Sequence, residues 1–457
     1  MYKSTLRLTA LAAALTCAFP AMAQTNAEVL GELKALRDRV ADLERKLQAA
    51  EAAKPKDGQW GMTPDQVREL NRVTVKTEAM EDSRDAQGMK NLTISGYADP
   101  TYIYNRRQNR GGFQFLNSVA DDGYNYDNSY FGTVALDFQK ETDSGTRYRL
   151  TLVPNRGTDS VIGNGGIVHE ATISVPMSDL QTRFIAGHMP DWSGYEYLQP
   201  TLNKLITHNL LFDFTLPTSY TGAGVDITSG KWWYRAMIAN MNASKNAAGE
   251  KAPVLAYRVD YSRGEFQGFG FAGVHGKAAN FTENVIDVGT GEVIGQPNSR
   301  LDLFEFDAYF IRGDVTVQGQ LSLGQQKKAS ITPAADGSLR DSRWWGLSAL
   351  AAYKFDPRLE GIVRMDYLNN KKNGGGLLGY TSADDRNGIG PDINGDLNKG
   401  ATRSALSLGM SYAINMETTF KAEYRIDRAN LPVFYDVKSG GYRKSNQVFG
   451  TSVVVAF

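Results

Sequence analysis

A two-residue alternation runs from about residue 92 to the end of the chain and limits what it can fold into more than any other feature. Leu255, Tyr257, Val259 and Tyr261 alternate with Ala256, Arg258, Asp260 and Ser262. Val315, Val317, Gly319, Leu321 and Leu323 alternate with Thr316, Gln318, Gln320 and Ser322. The same holds for Leu406, Leu408, Met410 and Tyr412 against Ala405, Ser407, Gly409 and Ser411. It holds again for Phe420, Ala422, Tyr424 and Ile426 against Lys421, Glu423, Arg425 and Asp427. Successive side chains of a strand point to opposite faces, so each segment has one apolar or aromatic face and one polar, charged or small face.

About sixteen such segments are readable, near 92–104, 129–140, 147–155, 167–176, 180–188, 221–228, 231–242, 253–262, 266–276, 301–312, 315–325, 343–354, 359–368, 402–413, 418–427 and 446–457. Their connections alternate. Links after odd-numbered segments are long, such as 105–128, 189–220 and 369–401, and links after even-numbered segments are short, such as 177–179, 229–230 and 313–314. The short ones carry turn chemistry: Asp143-Ser144-Gly145, Ser229-Gly230 and Arg312-Gly313-Asp314. An even strand count with strict long–short alternation predicts a closed antiparallel barrel, greasy outside and wet within, with periplasmic turns and extracellular loops. Past the first two dozen residues no apolar run approaches the ~18 residues of a membrane helix, so a membrane location requires a closed barrel. The last residues, Phe449 to Phe457, alternate back from a terminal aromatic. They read as the lipid-facing strand that closes on the first, and Phe457 resembles the signal read by barrel-assembly machinery. A soluble β-sandwich or propeller is the competing fold and has no reason to alternate its links in this way.

The start of the chain has a different character. Lys3 and Arg7, the apolar stretch Leu8 to Phe19 and the site Ala21-Met22-Ala23 predict a signal peptide over 1–23. Cys17, the single cysteine, falls inside it, which leaves a mature chain without disulfides or thiolate metal sites. Thr16 and Ala14 fit a lipid-attachment box at Cys17 poorly. Over 24–52, Val29, Leu33, Leu36, Val40, Leu43, Leu47 and Ala50 alternate spacings of four and three. The flanking pairs Glu32 with Arg37, Arg39 with Glu44 and Lys46 with Glu51 are opposite in sign. This predicts a parallel coiled coil in the periplasm, dimer or trimer, with a single amphipathic helix on the barrel as the alternative. Residues 53–91 read as a polar connector in which Thr63-Pro64-Asp65-Gln66 opens a short helix to about Ala79. The barrel occupies 92–457.

Equal numbers of basic and acidic residues, 50 each, argue against a nucleic-acid partner. The third long link contains Asp191, Trp192, Tyr195, Glu196, Tyr197, Lys204 and His208. A loop so long and aromatic should pack against something. The barrel interior, where it would narrow a pore, competes with an extracellular cap or a subunit latch. By parity Arg147, Arg149, Arg183, Arg235, Arg258, Arg364, Lys421 and Arg425 face the lumen, with Asp137, Asp260, Glu305, Asp307, Asp366, Glu423 and Asp427. Opposed walls of such charges would set a transverse field across a pore; the alternative is pairing within the wall. The near balance favours neither anions nor cations.

Ile94-Ser95-Gly96-Tyr97, Gly187-His188-Met189-Pro190, Arg364-Met365-Asp366-Tyr367-Leu368 and Leu408-Gly409-Met410-Ser411-Tyr412-Ala413-Ile414-Asn415 resemble trimeric Gram-negative porins of the phosphate-selective O and P type. The whole mature chain is closer still to an uncharacterised porin-like family with the same leader, coiled coil and barrel. The resemblance implies a homotrimeric outer-membrane channel passing small hydrophilic solutes or ions, in contact with outer-membrane lipid. The arginine ladder and lysine cluster of the phosphate-selective members have no residue-by-residue match, so phosphate selectivity is not implied. A barrel enzyme would need a Ser–His or Asp–His pair at one rim, whereas His169, His188, His208 and His275 lie in separate segments. An anchoring barrel without an open pore is the other alternative. Phosphate-loop, dinucleotide and zinc patterns are absent, so no cofactor or metal is expected.

Overall fold

The computed structural model describes residues 63–115, 131–154, 167–243, 253–279 and 298–457 apart from 379 and 381, with short pieces at 41–42, 45–46, 285–286, 289–290 and 293–295. The expected signal peptide and the whole of the expected coiled-coil seam (Val29, Leu33, Leu36, Val40, Leu43, Leu47) lie outside the described residues.

The alternating segments form a closed antiparallel barrel of sixteen strands. We number them β1 (Leu92–Ala98, continued by Thr101–Asn105), β2 (Val134–Glu141), β3 (Arg147–Leu152), β4 (Val168–Pro176), β5 (Thr182–Pro190), β6 (Ser219–Ser229), β7 (Trp232–Met241) and β8 (Val254–Ser262). Then follow β9 (Gln267–Ala279), β10 (Asn298–Arg312), β11 (Val315–Gln326), β12 (Ser342–Lys354), β13 (Leu359–Asn369), β14 (Arg403–Ala413), β15 (Thr418–Ala429) and β16 (Ser445–Ala456). Consecutive strands pair from β1 to β16, and β16 returns to β1 through Tyr97↔Ala456 and Thr101↔Ser452. Closure pairs the first strand with the last, as a strand structure in lipid demands. At the seam, the Gly96 and Phe457 backbones exchange two hydrogen bonds of 3.0 Å each. The Phe457 ring lies where a Cβ on Gly96 would have to be.

Two departures from the expected segments have local causes. β1 is interrupted at Asp99-Pro100, because proline has no N–H to give to the ladder. The chain then doubles back at Arg110–Gln114 to pair with Thr101–Asn105, an extra hairpin arm inside what reads as one long loop. β2 begins at Val134 rather than near 129, and β3 ends at Leu152 rather than near 155. The short turns are as tight as expected. Gly313 takes φ 57° in the turn between β10 and β11, a conformation that glycine adopts without strain. Arg312-Gly313-Asp314 is thus a hairpin.

The outer wall carries exposed Ile94, Leu150, Phe184, Ile238, Leu255, Leu323, Leu347, Met365 and Leu408. Rings cluster near both ends of this apolar face. Trp232 meets Tyr261 at 4.8 Å beside the short turns, and Trp345 meets Tyr367 at 5.1 Å towards the long loops. Aromatic girdles of this kind border the hydrocarbon zone of membrane barrels. No described helix is long and apolar enough to cross a membrane.

Before the barrel lies α1 (Pro64–Ala86), capped by Thr63, whose side chain accepts from the Gln66 N–H while the Gln66 side chain accepts from the Thr63 N–H. It runs a further two turns past the expected end at Ala79.

Candidate functional site: an inward loop and the lumen it leaves open

The connection between β5 and β6, residues 191–218, does not cap the barrel. It enters the interior and is fastened to the wall made by β11 to β15. Its local structure starts with Asn209, whose side chain accepts from the Leu211 and Phe212 N–H groups and so starts the short helix α2 (Leu210–Thr215). Asn209 in turn donates its backbone N–H to Glu196.

Arg364 on β13 and Arg425 on β15 are the main fasteners, both fully buried. Arg364 donates to Glu196 at 2.7 Å, to the Thr207 carbonyl at 2.6 Å and to the His208 carbonyl at 2.9 Å. Arg425 donates to the His208 carbonyl at 2.6 Å. Glu423 accepts the backbone N–H groups of Ile206 and Thr207 at 2.9 and 2.7 Å. Lys421 reaches the carbonyls of Pro200 and Asn203, and Lys204 pairs with Glu360 at 2.6 Å. Tyr195 meets the Ser348 hydroxyl at 2.6 Å, and Ser348 donates to Asp366 at 2.7 Å. On β8, Arg258 donates to the Trp192 carbonyl at 2.9 Å and to both oxygens of Asp307 at 2.7 and 2.8 Å. Glu305 takes up Gln320 at 3.0 Å. Carbonyls of an irregular segment have no ladder to bond to, and long cations supply the missing donors.

Shape assists charge. Gly409 and Gly346 face inward, and a Cβ at either would collide with Leu205 or Leu211 of the loop. The wall glycines are sockets for loop leucines. A Gly409→Val barrel should therefore fold with its loop lifted and show altered single-channel conductance; identical conductance would count against the socket. On the long-loop side, Leu210, Leu211 and Phe214 join Met237, Val254, Leu303, Trp344 and Leu368 of the wall. Leu377, Leu378 and Ile389 of the β13–β14 link complete this buried apolar cluster. The interior is therefore not uniformly wet, as the alternation by itself suggests.

Within the loop, burial holds His208 near pKa 3, so its ring is neutral and its Nε2–H donates to the Tyr197 carbonyl at 2.7 Å. Burial pushes the Asp213 carboxyl up to about 8, against the attraction of Arg425, with Glu196 adding to the rise. A carboxyl raised by folding binds its proton more tightly when folded. Its stabilisation is complete below the ordinary carboxyl pKa near ~4 and disappears as pH rises through about 8. The loop should therefore loosen progressively as pH rises from about 5 to about 8, seen as growing current noise, and Asp213→Asn should abolish that dependence.

What remains open lies on the other side. A cavity of about 1270 Å³ runs between the loop and the wall of β2 to β7, from Thr93 and Lys140 near the short turns up to Pro217 at the loop's root. Arg147, Arg149, Arg183 and Arg235 line it. Arg149 bonds Asp137 at 3.0 Å and Glu170 at 3.2 Å, Arg147 bonds Glu141 at 3.1 Å, and Arg235 bonds Asp226 at 2.6 Å. The expected wall charges thus divide. Asp260, Glu305, Asp307, Arg364, Asp366, Lys421, Glu423, Arg425 and Asp427 are buried, most of them beneath the loop, while the four arginines of β3, β5 and β7 border the cavity and the buried Arg258 reaches its edge. Asp191 is turned to Tyr220 at 2.6 Å, and Trp192 lies over Tyr220 with ring centroids 4.9 Å apart. Sequence reasoning passed over Asn209, Thr207 and the socket glycines, whose single signal is their place in the third loop or on an inward parity. No group of three or more metal-ligating side chains occurs among the described residues.

A closed sixteen-strand barrel with an inward-folded third loop is a porin-like build. The chain belongs to the family described as protein of unknown function, DUF3138, whose model matches residues 58–457. Among solved structures it is similar to the anion-selective porin from Comamonas acidovorans, at 10% identity over 80% of this chain and 99% of that one, with a TM-score of 0.51. It is also similar to OmpT, an outer membrane protein of Vibrio cholerae, in its trimer form (12% identity, 80% and 99% covered, TM-score 0.48). Salmonella typhi OmpF in complex with daunomycin is similar to a like degree (12%, 80% and 97%, TM-score 0.49). At such identities the likeness is one of fold. No curated protein sequence matches the chain.

Proposed function

We propose that this protein is an outer-membrane porin: a passive, water-filled path for small hydrophilic solutes or ions, narrowed by residues 191–218. The observation that carries this reading is the cavity of about 1270 Å³ left between the inward loop and the β2–β7 wall. Sixteen strands are enough to enclose an aqueous channel. A loop bonded to one wall leaves the remaining cross-section to solvent. Asp191, Trp192, Tyr195, Glu196, Tyr197, Lys204 and His208 take their part as the constriction, and the short-turn end with α1 faces the periplasm. A homotrimer is in keeping with the heptad seam over 24–52, and Phe457 with recognition by barrel-assembly machinery. The kinship to the phosphate-selective O and P class rests on the sequence motifs alone.

Purified protein in planar bilayers should give discrete conductance steps. The apolar cluster on the long-loop side favours a second reading, an anchoring barrel with a closed lumen, and a membrane that stays silent at all voltages would select it. Ester-hydrolysis assays on the same preparation test the enzyme alternative.

A further inference from the structure

We infer that the open passage favours organic anions with an apolar body, such as aromatic carboxylates. The inference rests on the porin reading and names its solute class. It comes from how charge is laid out across the cavity, with unlike surfaces on its two sides.

On the wall side, cations stand in front of their partners. The side chains of Arg147, Arg149 and Arg235 are 57, 36 and 25% exposed. The carboxylates Asp137, Glu170 and Asp226 are 12, 11 and 14% exposed, with Glu141 at 42%. The physical reason is reach. A carboxylate one or two carbons from the backbone stays against the wall, whereas a guanidinium on a longer stem extends to the water. The pairs therefore act as dipoles with their positive ends inward, and a solute feels the nearer charge more strongly. Arg183, only 5% exposed, adds positive charge from within the wall; it is held by the carbonyls of Gly145, Ser174 and Leu180 and by the Ser174 hydroxyl, with no carboxylate ion pair among the described residues.

On the loop side the two acids that line the cavity, Asp191 and Glu196, are already bonded to the protein. Glu196 is spent on Arg364, and Asp191 on Tyr220 and Ser193. Beside them the loop lines the cavity with Trp192, Tyr197, Leu198, Leu202 and Phe212. The two surfaces meet at Arg235, whose guanidinium lies 5.2 Å from the Trp192 ring and 4.5 Å from the Trp233 ring. A carboxylate attached to a ring matches this corridor, with its charge towards the guanidiniums and its body against the loop's rings.

The test is made on the full-length mature protein in planar bilayers. Under a tenfold potassium chloride gradient the reversal potential should take the chloride sign, and Arg147→Gln should move it towards zero. Benzoate should half-block the chloride current at a concentration about tenfold below that of acetate, and Trp192→Leu should erase most of that difference. Both variants should keep the heat-modifiable gel mobility of a folded barrel. Steps with a potassium-side reversal would overturn the inference and leave the porin reading standing. A chloride-side reversal with equal block by benzoate and acetate would overturn the apolar half. Absence of steps would sink the porin reading, and this inference with it.

Discussion

Arg364→Met should free the inward loop and turn a steady channel into a larger, noisier one. The guanidinium is fully buried and bridges β13 to Glu196, Thr207 and His208, with Asp366 at 3.4 Å and Glu423 at 3.7 Å. Methionine fills a similar volume but leaves those carboxylates without their counter-charge. Removing one member of a buried ion network costs about 3–5 kcal/mol. The barrel ladder does not depend on this residue, so the loss falls on the loop's attachment. Single-channel records should show higher mean conductance and frequent substates, with the gel shift of the folded barrel preserved. Arg364→Lys should not restore the wild-type trace, because an ammonium lacks the planar fork that reaches an acid and two carbonyls together. A quiet, unchanged channel in the methionine variant would show that the loop is held by its leucines and not by charge.

Deletion of Phe457 should have the largest effect on the yield of folded barrel. Its backbone supplies both partners of Gly96 at the closing seam, and its ring occupies the space that Gly96 leaves bare. Two backbone groups at the edge of the hydrocarbon zone then lose their partners, at a cost on the order of a few kcal/mol. The seam also joins segments separated by nearly the whole barrel, so closing it carries a large loop-closure entropy. Refolding into detergent and following the gel shift should show a large drop in the folded fraction. Phe457→Leu should recover much of it, because it keeps the backbone and an apolar cover. Assembly in cells adds a separate readout: a variant that refolds in vitro yet fails to reach the outer membrane would assign Phe457 to recognition by the assembly machinery.

The barrel was legible because each strand obeys a rule local to itself. Leu406 to Tyr412 exposes its apolar set to lipid and keeps Ser407 and Gly409 inside, and period two is enough to say so. Turn chemistry bounded the strands well at the short end, where φ at Gly313 or Gly145 is set by neighbours in sequence. It failed at Asp99-Pro100, where a proline breaks a strand whose apolar pattern continues across it. The lumen charges were assigned to the right face by parity, but parity does not tell a residue that meets water from one that meets a loop. Arg149 and Arg364 look alike in sequence, and one borders the cavity while the other is sealed beneath residues 196–208.

Strand number, the sidedness of every strand, the division into long and short links and the capped start of α1 were all determined by sequence alone, because each depends on contacts within a few residues or on a repeated solvent boundary. The path of the third loop, its attachment through Arg364, Arg425 and the Gly346 and Gly409 sockets, and the side on which the lumen stays open were decided only in the tertiary structure. Those features pair residues more than a hundred positions apart, and the energy that selects them resides in desolvated charges and fitted shapes that no local pattern encodes.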